Sequence, residues 1–155
     1  MRIGEGVEWG LHCCLTLAWL GEQPVSTAKF ATLFELPPAY LKKRLQVLVR
    51  AGILASAPGA RGGFLLARPP ERITLMDVVT ALEGPDEAFR CTEIRQRGVE
   101  SSPEFAWPCG VATAMRKAEL AWRRELAGQT VADLVATAPA GAAARMRQRY
   151  ARLAP

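Results

Sequence analysis

Residues 37–53 read Pro37-Pro38-Ala39-Tyr40-Leu41-Lys42-Lys43-Arg44-Leu45-Gln46-Val47-Leu48-Val49-Arg50-Ala51-Gly52-Ile53. Proline suits the first turn of a helix, and Leu41, Leu45 and Leu48 then recur at three-and-four spacing, so the stretch predicts a helix with one apolar face and a basic opposite face. Ala51-Gly52 closes it. Working toward the N-terminus, Ser26 is a good N-cap for a short helix that runs through Ala28, Phe30, Ala31 and Leu33 to about Phe34. Before that, Val7, Leu11, Cys14, Leu15 and Ala18 lie on one face of a first helix that Gly21 stops. Toward the C-terminus, two short apolar runs, Ile53 to Ser56 and Phe64 to Ala67, flank Ala57-Pro58-Gly59-Ala60-Arg61-Gly62-Gly63 and predict a hairpin with a Gly-rich tip. The fold class expected is therefore mainly α with a small β-hairpin wing: a winged helix-turn-helix over residues 1–84, whose third helix enters the major groove of DNA.

The charges follow the same outline. The 155 residues carry 20 Lys and Arg against 15 Asp and Glu, a formal net charge of +5. Over residues 1–75 nine basic residues face five acidic ones, so most of the excess lies in the expected reading head. Lys42, Lys43 and Arg44 open the third helix, Arg50 ends it, Lys29 belongs to the second, and Arg61 sits beside Gly62 and Gly63, which let backbone approach a phosphate. Such a distribution fits double-stranded DNA. With 50% hydrophobic residues the chain has the material for one ordinary domain and is neither disordered nor fibrous. No apolar run approaches the roughly 18 residues of a membrane span, and the start is not a signal peptide, so the expectation is a cytoplasmic protein with reduced thiols. No catalytic triad or oxyanion motif accompanies the cysteines, which argues against an enzyme.

Beyond the hairpin, Pro69-Pro70 ends the second strand and Thr74 with Asp77 caps a helix through Leu75, Val78, Val79 and Leu82 that Gly84 terminates. From Cys91 to Cys109 the sequence is polar and rich in Gly, Ser and Pro, predicting an irregular loop within residues 85–110. Val111, Met115, Ala118, Trp122 and Leu126 then trace a long helix with near-heptad spacing, suited to packing on another helix, and Thr130 with Asp133 caps a short element, the two filling residues 111–137. Residues 138–155, rich in Ala and Arg, show no clear apolar face and read as a flexible tail of frayed helix or disorder.

Pro24-Val25-Ser26, Pro38-Ala39-Tyr40-Leu41, Leu48-Val49-Arg50-Ala51-Gly52-Ile53, Arg61-Gly62-Gly63-Phe64, Leu66-Ala67-Arg68-Pro69-Pro70, Ile73-Thr74-Leu75-Met76-Asp77-Val78-Val79 and Glu83-Gly84 together resemble the IscR-like (Rrf-two) family of bacterial transcription regulators over roughly residues 1–135. The resemblance implies a homodimer joined through the long helix, places Ser26, Pro38 and Tyr40 with the basic residues on the DNA face, and in many members implies an iron-sulfur cluster between subunits; other members are clusterless, so a clusterless or zinc-containing regulator responding to another signal is the alternative. The usual three closely spaced loop cysteines are absent here. Only Cys91 and Cys109 lie in the loop, so a 2Fe-2S cluster, which needs four protein ligands, must recruit two from elsewhere.

The single histidine, His12, lies four residues after Glu8, so both project from one face of the first helix about a turn apart. Glu8, His12, Cys91 and Cys109 form a chemically sensible set for a 2Fe-2S centre, and the same four residues can hold tetrahedral zinc. Gly6-Val7-Glu8-Trp9-x-Leu11-His12-Cys13-Cys14 and Cys91-Thr92-Glu93-Ile94-Arg95-Gln96-Arg97-Gly98 also resemble a redox-sensing subgroup of that family, the RsrR type. There the implied ligands are two cysteines, a glutamate and a histidine, with the loop of one subunit meeting the first helix of the other. Adjacent Cys13 and Cys14 point to different faces and read as packing residues. Trp9, beside Glu8, is a candidate redox relay.

Overall fold

A computed structural model of the chain describes residues 3–97 and 107–153. The helices are α1 (Glu5–Leu20), α2 (Thr27–Phe34), α3 (Pro38–Arg50), α4 (Leu75–Glu83), α5 (Gly110–Ala127), α6 (Val131–Thr137) and α7 (Ala142–Ala151). Between α3 and α4 an antiparallel hairpin pairs β1 (Leu54–Ala57) with β2 (Gly63–Leu66), Leu54 opposite Leu66 and Ala57 opposite Gly63. The order is that of a winged helix-turn-helix followed by a long helix. The centre of the expected loop, residues 98–106, lies outside the described residues.

Local rules account for most of the boundaries. Ser26 Oγ accepts the Lys29 backbone N–H at 3.2 Å and starts α2, and Pro38 occupies the first turn of α3. Thr74 and Asp77 close a reciprocal capping box at α4, and Thr130 and Asp133 do the same at α6. These two helix starts are also joined to each other. Leu75 N–H donates to the Gln129 carbonyl and Val131 N–H to the Ile73 carbonyl, both at 2.9 Å, so α6 is tied to the base of the reading head.

At the centre lies α1, packed against α3, α4, α6 and α7. Its buried residues are Gly6, Val7, Gly10, Cys13, Cys14, Thr16 and Leu17. Leu11 and Leu15, expected on the core stripe, are only half-buried. The helix is apolar nearly all round, so periodicity locates the stripe poorly. Gly10 decides which side goes inward: a β-carbon there would lie 2.7 Å from Leu82 Cδ1 and 3.3 Å from Val78 Cγ1, so its hydrogen lets α4 close onto α1.

The wing is anchored by more than its own pairing. Val25, just before α2, exchanges two backbone hydrogen bonds with Phe64 at 3.0 and 2.9 Å. Gly63 is pressed against that junction, where a β-carbon would lie 2.4 Å from the Val25 carbonyl carbon.

Within the segment expected to be frayed helix or disorder, residues 142–151 form the docked helix α7. Two large side chains suffice to seat it: Met146 and Tyr150, four apart, are 9% and 6% exposed, and Tyr150 Oη donates to the Pro24 carbonyl at 3.1 Å. Long helix α5 buries no residue in the single chain, and Val111, Met115 and Leu120 stand open to solvent at 63%, 43% and 46% exposure. Among the described residues no helix is long and apolar enough to cross a membrane.

Gly63→Ala forces a β-carbon into the Val25 backbone and is expected to lower stability by about 1–3 kcal/mol. Gly110→Ala, at an uncrowded helical position, is expected to leave the denaturation midpoint unchanged or slightly raised. Urea unfolding of both variants checks the contrast.

Candidate nucleic-acid interface and ligand residues

The three leucines Leu41, Leu45 and Leu48 are fully buried, which turns the opposite face of α3 to solvent. Lys42, Lys43 and Arg50 are exposed there, and Pro38 and Tyr40 are exposed in the first turn. Arg61 is exposed at the tip of the wing. A convex helix face bearing two adjacent lysines beside a basic wing is the geometry that places side chains in a major groove with phosphates on either side.

Arg44 departs from the expectation that groups it with Lys42 and Lys43. Its guanidinium turns inward, donating to the Leu82 carbonyl at 3.3 Å and to Tyr40 Oη while lying over the Tyr40 ring at 4.8 Å. The Tyr40 ring in turn meets Trp9 of α1 edge-on, with centroids 5.4 Å apart at 85°. Trp9, Tyr40 and Arg44 thus link α1 through α3 to the C-terminal end of α4. Sequence spacing alone does not reveal this, because a basic triplet on a helix spans more than one face.

Gly62 and Gly63 serve the wing itself. Gly62 N–H donates to the Gly59 carbonyl at 2.9 Å, and a β-carbon at Gly62 would lie 2.2 Å from the Ala57 carbonyl oxygen. Both glycines are therefore required by turn packing and by the Val25 junction. Lys29 is half-buried, with Nζ over the ring of Tyr150 at 4.8 Å. Sequence reasoning does not find Tyr150, because its segment lacks a recognisable stripe.

The two loop cysteines come together. Cys109 is the residue at the N-terminal boundary of α5, and the Cys91 thiol lies within hydrogen-bonding reach of it. The Ala112 N–H above all, then the Val111 N–H, the Arg95 guanidinium and Cys91, hold the Cys109 thiol below the ordinary thiol range, with partial burial opposing them. Arg95 also ties the loop's ends, engaging Glu93 at 2.5 and 2.9 Å and the Trp107 carbonyl at 3.2 Å. Their accessibility and mutual proximity suit a pair of soft metal ligands. Cys13 and Cys14 are the opposite case: both are fully buried, and burial pushes the Cys14 thiol up to about 12 and Cys13 higher still.

Glu8 and His12 are exposed on α1 and border one shallow apolar depression with Val7, Leu11, Leu15 and Leu134. The His12 ring lies 5.9 Å from that of Phe34. Among the described residues no group of three or more His, Cys, Asp or Glu side chains is assembled within one chain. The four expected ligands therefore stand as two separate pairs, each incomplete by itself.

Known proteins resemble the chain over most of its length. The family profile described as Rrf2, an iron-dependent transcriptional regulator, matches residues 3–137. The protein rrf2 of Nitratidesulfovibrio vulgaris is 35% identical over 136 residues, covering 87% of each chain. The structure of CymR, the global cysteine regulator of Bacillus subtilis, superposes with a TM-score of 0.70 at 27% identity, covering 90% of this chain and 99% of CymR. IscR of T. potens shares the fold, with a TM-score of 0.69 at 24% identity over 100% of this chain and 93% of its own. The chain belongs to the Rrf2 family: it is a DNA-binding transcriptional regulator built on a winged helix-turn-helix, and not an enzyme.

Proposed function

We propose that this regulator works as a homodimer that senses redox state through a 2Fe-2S cluster, with Cys91 and Cys109 of one protomer and Glu8 and His12 of the partner subunit as ligands. The observation that carries the reading is the meeting of two accessible thiols at the start of α5, one of them held toward thiolate, with no third ligand beside them in the same chain among the described residues. A thiol pair supplies half of the ligands that a 2Fe-2S cluster needs, and a carboxylate and an imidazole on one helix face supply the other half. Val111 and Met115, four apart on one face of α5 and both exposed, support dimerisation, since an apolar patch on a helix face is stabilised by a second helix.

Such a cluster supplies a one-electron change, and imidazole in place of thiolate raises its potential. Everything else belongs to the chain. Glu8 and Trp9 are neighbours on α1, and Trp9 meets Tyr40 on the reading helix, so a small shift of α1 at Glu8 reaches α3 through one ring contact. Arg44 bridges the Tyr40 hydroxyl and the Leu82 carbonyl and so sets the rest position of the ring. A tenfold change in DNA affinity requires only about 1.4 kcal/mol between the two states. In the DNA complex Tyr40, Lys42, Lys43 and Arg50 face the major groove, with Pro38, Ser26, Lys29, Arg61 and the Gly62-Gly63 backbone along the phosphates.

Anaerobically purified protein is expected to be coloured, to bleach with dithionite and recover in air, and to contain about two irons and two sulfides per chain. Colourless protein without iron and sulfide contradicts the reading, and zinc in that sample reassigns the same residues to a structural site. Trp9→Ala is expected to retain the visible spectrum while DNA affinity loses its dependence on cluster state. Undiminished dependence, measured by anisotropy titration of the oxidised and reduced forms, removes Trp9 from the path.

A further inference from the structure

The family match ends at residue 137, yet α7 beyond it is built into the reading head. Arg149 donates to the Leu33 carbonyl at 2.6 Å, Arg147 Nε donates to the Trp19 carbonyl at 3.0 Å, and Tyr150 Oη reaches the Pro24 carbonyl. Pro24 precedes α2 and Leu33 lies in its last turn. In a helix-turn-helix that helix is the one crossing the DNA backbone, so α7 is fastened to the element nearest the phosphates.

Two adjoining surface grooves follow from this docking. One is bordered by Gln23, Lys29, Arg147 and Tyr150, the other by Ser26, Lys29, Arg61 and Tyr150, and the two share Lys29 and Tyr150. No carboxylate lines either groove among the described residues. Charge is divided in the same way along the chain. Residues 138–155 contain Arg145, Arg147, Arg149 and Arg152 and no acidic residue, a net charge of +4 that equals that of residues 1–75. Residues 76–137 are net acidic. Two basic stretches far apart in sequence are therefore joined by the fold into one track running from the wing tip, across Lys29, to α7.

We propose that α7 is a second, sequence-independent DNA contact: Arg147, with Lys29 over the Tyr150 ring and Arg61 at the far end, binds the phosphate backbone along this track beside the segment that α3 reads. Cations spaced along a groove with amide and hydroxyl groups on its walls match a phosphodiester chain, and a contact of this kind adds affinity without base preference. Arg147 uses only Nε for the Trp19 carbonyl, and it is exposed.

The test uses the full-length protein and a fluorescein-labelled duplex of mixed sequence, titrated by anisotropy over a series of KCl concentrations. Arg147→Gln keeps an amide donor for the Trp19 carbonyl but removes the charge, whereas Arg147→Lys keeps the charge but not the Nε geometry. The expected result is weaker binding by Arg147→Gln, with a log–log salt slope shallower by about 0.9 for each phosphate no longer neutralised, and a slope close to that of the parent for Arg147→Lys. An unchanged slope in Arg147→Gln, or equal losses in both variants, overturns the proposal. A second measurement needs no variant: phenylglyoxal modification of Arg147 in the native protein, read by mass spectrometry, is expected to fall when the duplex is present. Equal modification with and without duplex also overturns the proposal. Failure of the parent protein to bind the duplex at any salt concentration overturns it by a separate route, because it removes the DNA backbone as the partner.

Discussion

The close approach of α1 to α4 and α3 is the constraint on which the other placements depend. At Gly10 a β-carbon would lie 2.7 Å from Leu82 Cδ1, so anything larger than hydrogen requires Leu82 to shift, with Val78 and Leu48 also lying against that spot. Gly6 has the same role four residues earlier, where a β-carbon would lie 2.8 Å from Arg44 Nε. Close-packed interiors transmit displacement rather than absorb it. A helix packed this tightly on one side, and bearing Glu8 and His12 on its open side, is well placed to pass a local change to the reading head.

Magnitudes favour a contact of modest strength at the junction. An edge-to-face aromatic pair contributes about 0.5–1.5 kcal/mol beyond its buried area, and an exposed cation–π contact about 0.5–1 kcal/mol. The Trp9–Tyr40–Arg44 chain therefore stores energy of the same order as the roughly 1.4 kcal/mol that separates a tenfold difference in DNA affinity. A stronger link would fix α3 in one pose, and a weaker one would decouple it from α1. In the proposed mechanism the operative element is this balance, with no large domain motion required.

Much of the fold is legible in the sequence because local chemistry decides it. Ser26, Pro38, Thr74 with Asp77 and Thr130 with Asp133 mark helix starts, Gly52 and the Gly-rich tip mark turns, and the leucine spacing of α3 names its buried face. What escapes the sequence depends on contacts between distant segments. Arg44 reads as one of three basic residues until Leu82 and Tyr40 claim its guanidinium. That Gly62 and Gly63 are also needed to pack against Ala57 and Val25 is not legible in the sequence, because it depends on how the tip folds back on those segments. α7 reads as a tail because only Met146 and Tyr150 are apolar enough to seat it, and the carbonyls that Arg147, Arg149 and Tyr150 engage lie more than a hundred residues away. Of the candidate ligands, spacing pairs Glu8 with His12, whereas the meeting of Cys91 with Cys109 depends on a loop whose closure no periodicity describes.

Ligand sharing between protomers is the central claim, and a mixed dimer tests it most directly. A Cys91→Ser/Cys109→Ser chain and a Glu8→Ala/His12→Ala chain, carrying different affinity tags, are co-expressed and the heterodimer isolated anaerobically for iron and sulfide assay. The account predicts that each homodimer is colourless while the heterodimer regains one complete site, with about half the iron and sulfide of the parent dimer. A heterodimer as empty as both homodimers contradicts the account.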